Sequence, residues 1–259
     1  MNALHKGTII TNQKLSNDMF IIKATHENSA LAGQFYMLRA WDDYPLLSRP
    51  ISVYDSDGDT VSFLCKNIGK GTEILSQLKP GNMLSMLGPL GSAFPEINGK
   101  AALVGGGVGI APLYLLAKQN SLAKQKQHPS NPAPDSSADL PDIFLGFSDN
   151  AVLTEVFRPM ANRLIVNIGG FITDEINPAD YDQVFTCGPD IMMRTLYDKC
   201  AKAGNTAFMW VSLERRMACG IGACLACSCK TIGGNRKVCK DGPVFPAELC
   251  YEVPISHPM

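Results

Sequence analysis

Ala101-Ala102-Leu103-Val104-Gly105-Gly106-Gly107-Val108-Gly109-Ile110-Ala111-Pro112 runs from an apolar stretch into a glycine turn. Four consecutive apolar residues read as a strand buried on both faces, the pattern of a parallel sheet. The glycines allow a tight turn, and the apolar residues from Ala111 to Gln119 read as the helix that follows. The turn does not fit G-x-G-x-x-G strictly, because Ile110 or Pro112 stands where the last small residue belongs. The uncharged stretch from Ala101 to Ala117 is shorter than the roughly 20 residues of a membrane span and carries four glycines and Pro112, so no membrane association is expected.

Downstream, strands and helices alternate. Ile143–Gly146, Leu164–Val166, Gln183–Thr186 and Phe208–Val211 read as strands, and Asp190–Ala203 as a helix. That alternation predicts an α/β domain with a parallel, Rossmann-like sheet over 100–211. Between its first helix and second strand, Lys118–Asp142 is polar and carries Pro129, Pro132, Pro134 and Pro141, which predicts a surface excursion. Upstream, Thr8-Ile9-Ile10, Met19-Phe20-Ile21-Ile22 and the alternating Thr60–Cys65 are separated by turn signals such as Asp57-Gly58-Asp59, Pro80-Gly81-Asn82 and Gly88-Pro89-Leu90-Gly91. Many short strands with regular breaks predict an antiparallel β-barrel over 1–99. Residues 212–259 hold most of the cysteines and are expected to have little regular structure.

The bulk numbers fit a multidomain soluble protein. The chain has 259 residues, 46% hydrophobic and 18% charged. Its 23 basic and 24 acidic residues leave no basic excess for phosphate neutralisation, so nucleic acid is not expected as a partner. The N-terminal residues Met1–Lys6 show no signal peptide, and with nine cysteines this predicts free thiols in the cytoplasm.

Five of the nine cysteines fall between Cys219 and Cys239. Cys219, Cys224, Cys227 and Cys239 are spaced C-x4-C-x2-C-x11-C, and the first three match the plant-type [2Fe-2S] loop. Zinc knuckles usually pair one C-x2-C with another, so a zinc-binding interaction module is the weaker reading. Gly220, Gly222, Ala223 and Ala226 leave room for backbone beside inorganic sulfide. Lys230, Arg236, Lys237 and Lys240 are balanced by no acidic residue between Cys219 and Lys240, which suits an anionic cluster. Cys229 is the alternative third ligand; the x2 spacing favours Cys227.

Two further segments carry chemistry. In Arg49-Pro50-Ile51-Ser52, an arginine beside a fixed-φ proline and a hydroxyl can hold a pyrophosphate and reach a flavin edge. In Gly69-Lys70-Gly71-Thr72, glycines open a helix whose N–H groups can face an anion. Taken in this order, the two segments resemble the FAD domain of the ferredoxin–NADP reductase superfamily. The resemblance implies that Arg49, Pro50, Ile51 and Ser52 flank the flavin, that Leu64, Cys65 and Lys66 line its ring and adenosine side, and that Gly71 and Thr72 bind phosphate. Gly106, Gly107, Gly109 and Pro112 resemble the G-G-x-G-x-x-P nicotinamide turn, and Cys187-Gly188-Pro189 the C-G-P turn whose cysteine lies near the hydride-donating carbon. Cys187 alone would read as a core thiol. Gly146–Asn150 holds no Arg or Lys, and Asp149 would repel a 2′-phosphate, so NAD rather than NADP is expected.

The order of these three units, with Met217–Cys224 and Val238–Phe245 closing the chain, is similar to the electron-transfer subunits of NAD-dependent dihydroorotate dehydrogenase. That similarity implies FAD, a [2Fe-2S] cluster, NAD as cosubstrate, and pairing with an FMN-containing catalytic subunit in a heterotetramer that serves pyrimidine biosynthesis. The alternatives are the flavin and iron–sulfur subunit of an NAD(P)H:ferredoxin or sulfide dehydrogenase complex, and a self-contained reductase.

Overall fold

The computed structural model describes residues 3–27, 29–127, 140–204 and 208–251. The first part is a closed antiparallel barrel. Its strands are β1 (Ala3–Lys14), β2 (Met19–Thr25), β3 (Phe35–Arg39), β4 (Arg49–Ser56), β5 (Thr60–Lys66) and β6 (Met83–Leu90), in the order β1-β2-β5-β4-β3-β6. Period-two burial drives closure. In β6, Leu84 and Met86 are buried in the barrel core while Met83, Ser85 and Leu87 are open or partly open. Between β5 and β6 runs the short helix α1 (Lys70–Ser76).

The second part is a six-stranded sheet. Along the chain come β7 (Ala101–Gly106), α2 (Ile110–Gln127), β8 (Asp142–Phe147), β9 (Leu164–Ile168), β10 (Gln183–Cys187), α3 (Asp190–Lys202) and β11 (Met209–Ser212). Every residue of β7 is buried, as a strand covered on both faces requires. On α3 the buried Met193, Leu196, Tyr197 and Cys200 fall at helical spacing and face the sheet. The sheet order is β14-β11-β10-β7-β8-β9, where β14 is Val244–Pro246, and β7 through β11 are parallel. The chain reverses direction across the sheet between β7 and β10, which opens a crevice at their carboxyl ends. There Cys187 stands level with Gly105 in the paired strands.

Helix α2 differs from its expected extent. It continues to Gln127, nearly three turns into the stretch expected to be a surface excursion, because Lys118, Lys124, Gln125 and Lys126 are good helix formers despite their polarity. The rest of that stretch, 128–139 with Pro129, Pro132 and Pro134, lies outside the described residues.

The cysteine-rich end is more regular than its composition suggests. It contains a hairpin of β12 (Ser228–Thr231) and β13 (Gly234–Lys237), then β14 (Val244–Pro246). Strand β14 pairs antiparallel with β11 and so completes the edge of the main sheet. The same segment reaches the barrel, where Ser92 donates its N–H to the Gly242 carbonyl at 2.6 Å and its hydroxyl to the Val244 carbonyl at 3.0 Å. Among the described residues no helix is long and apolar enough to cross a membrane.

Candidate functional site

A cavity of about 670 Å³ opens where the barrel, the sheet and the start of the cysteine-rich segment meet. Its walls are Phe35 of β3, Arg49, Pro50, Ile51 and Ser52 of β4, and Leu64, Cys65 and Lys66 of β5. Gly69 and Thr72 close one side, and Val108, Ala111 and Pro112 at the start of α2 another. The last wall is Leu213, Glu214, Arg215, Arg216 and Met217, with Pro243. That volume lies inside the roughly 300–1,000 Å³ of small-molecule sites.

Of the residues expected at the flavin, all but Gly71 line this one cavity. The Arg49 guanidinium lies where a Cβ on Gly71 would stand, 2.4 Å from its Nε, and its Cζ is 5.5 Å from the Trp41 ring centroid. It also donates a short hydrogen bond to the Leu47 carbonyl. Thr72 turns its hydroxyl to its own loop, accepting from the Ile68 and Gly69 N–H groups at 3.0 and 3.2 Å and donating to the Gly69 carbonyl at 2.9 Å. The loop is therefore pre-shaped by Thr72 rather than by the glycines alone. Cys65 is fully buried, and burial pushes its thiol pKa well up, so it enters the wall as a small neutral group.

The glycine turn and the Cys187 turn meet backbone to backbone. A Cβ on Gly109 would lie 2.4 Å from the Cys187 carbonyl oxygen, and one on Gly106 would lie 2.8 Å from Pro189 Cδ. Gly188, at φ 154°, has its own would-be Cβ 2.9 Å from the Gly106 nitrogen. Cys187 is only 1% exposed, and its thiol does not itself line the cavity. Burial raises its pKa, and the nearby Glu214 carboxylate raises it further, so the thiol stays protonated and uncharged at neutral pH. Glu214 presents much of its surface to the open cavity yet is ringed by protein, and that desolvation raises its own pKa. The expectations from the sequence placed no residue of Leu213–Met217 at the flavin. The only signal for this wall was position, immediately after a strand of the parallel sheet, where crevice residues collect.

The cysteines lie next to this wall. Cys227 and Cys239 are joined by the Cys239 N–H donating to Cys227 Sγ at 3.4 Å, and the Gly222 N–H donates to Cys239 Sγ at 3.1 Å. Burial raises the Cys219 thiol pKa, but the Ile221, Cys224 and Ala223 backbone and the Cys224 side chain outweigh it and bring it down to about 6. Burial and the Cys227 thiol push Cys239 up to about 12. Among the described residues no three His, Cys, Asp or Glu side chains converge to hold one metal ion; the four cysteines sit as neighbouring pairs instead. The loop is glycine-dependent at two points. Gly220, at φ 73°, would place a Cβ 2.6 Å from Met37 Cγ, and Gly222, at φ 84°, would place one 2.8 Å from Lys240 Cδ. Lys237 donates to the Gly222 carbonyl at 3.1 Å, so two cations brace the loop. Cys229, on β12, is buried in the same core cluster as Cys227 and Cys239, makes none of these sulfur hydrogen bonds, and lies near Cys250.

The sequence pattern of the iron-sulfur cluster binding domain of dihydroorotate dehydrogenase B matches residues 214–250, the cavity wall and cysteine loop together. Over 246 residues the chain is 40% identical to the dihydroorotate dehydrogenase B (NAD(+)), electron transfer subunit, of Clostridium acetobutylicum, covering 92% of this chain and 93% of that one. The chain belongs to the dihydroorotate dehydrogenase B electron transfer subunits. A second member of that family, from Clostridium perfringens, is 36% identical over 250 residues, covering 93% and 95% of the two chains. Among solved structures, the NADH-dependent reduced ferredoxin-NADP oxidoreductase matches with a TM-score of 0.80 at 28% identity, covering 97% of this chain and 91% of that one. The ferredoxin reductase of carbazole 1,9a-dioxygenase shares the fold, with a TM-score of 0.61 at 18% identity over 78% of this chain and 66% of that one. For an electron transfer subunit of this family, the donor set fits its groups. Four thiols with backbone N–H donors suit an iron–sulfur cluster, and a guanidinium-floored apolar cavity suits a flavin.

Proposed function

We propose that this chain carries electrons between NAD(H) and an FMN-containing catalytic subunit, through FAD in the cavity and a [2Fe-2S] cluster on Cys219, Cys224, Cys227 and Cys239. The observation that carries the proposal is that Leu213–Met217 forms a wall of the cavity and leads directly into the cysteine loop. One continuous stretch of backbone thus joins the two redox sites. When bound, the flavin exchanges a hydride with nicotinamide, and the cluster passes electrons one at a time.

The residues have separable tasks. Arg49 holds the flavin pyrophosphate, with Gly71 leaving space for the guanidinium. Pro50, Ile51, Ser52, Leu64, Cys65 and Lys66 flank the flavin. Gly106, Gly107, Gly109, Pro112, Gly188 and Pro189 form the nicotinamide floor, and the neutral Cys187 behind it keeps a charge away from the reacting carbon. Barrel 1–99 then serves FAD, 100–211 serves NAD, and 212–259 serves the cluster. A heterotetramer of two subunits of each kind acts in pyrimidine biosynthesis. None of the nine cysteines forms a disulfide, which suits the cytoplasm.

A mixing experiment tests this. The purified chain should reduce dyes with NADH and show no dihydroorotate-dependent NAD+ reduction until the FMN subunit is added. Dihydroorotate-dependent reduction by the chain alone would overturn the division of labour. A second reading, a subunit of an NAD(P)H:ferredoxin-type complex, is favoured by the 0.80 TM-score to such an oxidoreductase. Reduction of ferredoxin without the FMN subunit would support it instead.

A further inference from the structure

Beyond its first turn, α2 lies along barrel strand β4, and the contacts between them are specific. Tyr54 and Tyr114 stack at 4.3 Å between ring centroids with planes 13° apart. Phe157 meets Tyr114 edge-on, with ring centroids 5.5 Å apart and planes at 87°. Lys118 Nζ lies 2.6 Å from Asp55 Oδ1, with both side chains about three-quarters buried. One step further, Gln119 donates to the Ala30 carbonyl at 3.2 Å and accepts from the Ala32 N–H at 3.3 Å. Consecutive strand residues normally point to opposite faces, yet Tyr54 and Asp55 both reach α2. The β4–β5 register shifts between Val53 and Asp55, and such a bulge re-aims the side chains it carries.

Both braced elements begin at the cavity. Strand β4 contributes Arg49–Ser52 to its wall, and α2 contributes Ala111 and Pro112. Tyr114 is two residues past Pro112, about 3 Å along the helix axis, and Lys118 about 9 Å. Tyr54 is two residues past Ser52, about 7 Å along the strand. Helix and strand are stiff over such lengths, so a slip at the brace reappears at the cavity almost undiminished.

We propose that the Tyr54–Tyr114 stack and the Asp55–Lys118 pair are positioning residues for hydride transfer, fixing the flavin-lining start of β4 against the nicotinamide-facing start of α2. This rests on the reading of the cavity as the flavin and nicotinamide site. In the step concerned, a carbon–hydrogen bond of NADH breaks with both electrons leaving on the hydride; NADH becomes NAD+, and the flavin gains the two electrons and the hydrogen. Such transfer needs reacting atoms about 3–3.5 Å apart, and a 1 Å misplacement can lower the rate by on the order of 100-fold. The brace touches neither reactant, so its loss should leave binding nearly intact.

The test uses the full chain with FAD, as wild type and as Tyr114→Ala, Tyr114→Phe, Lys118→Ala and Lys118→Arg. Flavin content, the long-wavelength charge-transfer absorbance on mixing with NADH, and the limiting rate and apparent Kd of flavin reduction are measured. Tyr114→Ala should keep stoichiometric FAD and an apparent Kd within about twofold, while its limiting rate falls on the order of 10- to 100-fold and the charge-transfer absorbance weakens. Tyr114→Phe, which keeps the ring, should recover both. Lys118→Ala removes a partly exposed contact and is held to the same criteria if Tyr114→Ala fails to fold, with Lys118→Arg as its conservative partner. A limiting rate within twofold of wild type, loss of FAD, or failure of the conservative variant to recover would each overturn the proposal. If wild type itself is not reduced by NADH, the reading of the cavity has failed rather than the brace.

Discussion

The Arg49 guanidinium occupies the space that a side chain on Gly71 would fill, with Nε 2.4 Å and Cζ 2.6 Å from the would-be Cβ. The guanidinium therefore keeps this place between the strand that starts with Arg49 and the helix that starts beside Gly71 only while position 71 has no side chain. A methyl group there would displace the flexible end of the arginine rather than the backbone.

Arg49→Ala should weaken FAD binding by about 10- to 100-fold, the effect of losing a charge-assisted contact of about 1.5–3 kcal/mol. Gly71→Ala should produce a similar loss by moving the same guanidinium, and the double variant should be little worse than either single one. Flavin titration of the apoproteins checks this. Additive losses would mean that Gly71 and Arg49 act independently.

Each of Cys219→Ser, Cys224→Ser, Cys227→Ser and Cys239→Ser should purify with little iron and sulfide, because serine replaces a soft thiolate by a harder oxygen. Cys229→Ser should keep its full complement, since that side chain takes no part in the Cys219–Cys224 and Cys227–Cys239 contacts. Iron and sulfide assays on the five proteins decide between Cys227 and Cys229.

NADH should reduce the flavin several-fold faster than NADPH at low concentration. Asp149 follows the carboxyl end of β8, exposed and accepting a hydrogen bond from the Ser148 hydroxyl at 3.2 Å, and Gly146–Asn150 offers no cation to a 2′-phosphate. Asp149→Asn should narrow the preference in a stopped-flow comparison. Equal rates in the wild type would remove the argument.

His26 should make the barrel sensitive to mild acid. Its Nε2 lies 2.6 Å from the Tyr36 hydroxyl, and its ring is 4.8 Å from that of His5. Burial first, and then His5, lower its pKa below 6.5, against a smaller opposing effect of Glu27. The unfolded chain then takes up a proton before the folded one, so stability is complete above pH 6.5 and is lost as pH falls from there through the folded pKa. Asp18 and Asp57, held below the usual carboxylate range by the Ser16 and Thr60 hydroxyls, lose their contribution only in stronger acid. Urea midpoints at pH 7.5 and 5.5 should differ for wild type and much less for His26→Gln.

Much of the site was legible in the sequence because its chemistry is local. Four thiols at fixed spacing, Arg49-Pro50-Ile51-Ser52 and the glycine turn at 105–109 each lie within a few neighbouring residues, and each limits which chemistry is possible there. What escaped depends on closure of the chain. Leu213–Met217 becomes a cavity wall only because β11 lies beside β10, a contact between residues far apart in the sequence. Strand β14 is three residues long, too short to show a period, and its pairing is antiparallel in a sheet otherwise read as parallel. The end of α2 was missed for a different reason. Its second half is polar, a pattern that reads as loop, yet helix propensity prevails there.

That short strand also constrains how the molecule can be cut or assembled. Trp210, Val211 and Ser212 of β11 pair with Pro246, Phe245 and Val244, and the Leu213 N–H donates to the Pro243 carbonyl at 2.9 Å. A truncation ending near residue 213, designed to keep a two-cofactor flavodomain, would bare the β11 edge and invite strand-to-strand aggregation. Nor can the cysteine lobe be transplanted as a cassette, because its last strand is the selvedge of another domain's sheet. On the ribosome the same pairing imposes an order: the sheet stays unhemmed until residues 244–246 emerge, well after β11 has been made. Both sides of the cysteine loop are thus anchored only once the chain is nearly complete.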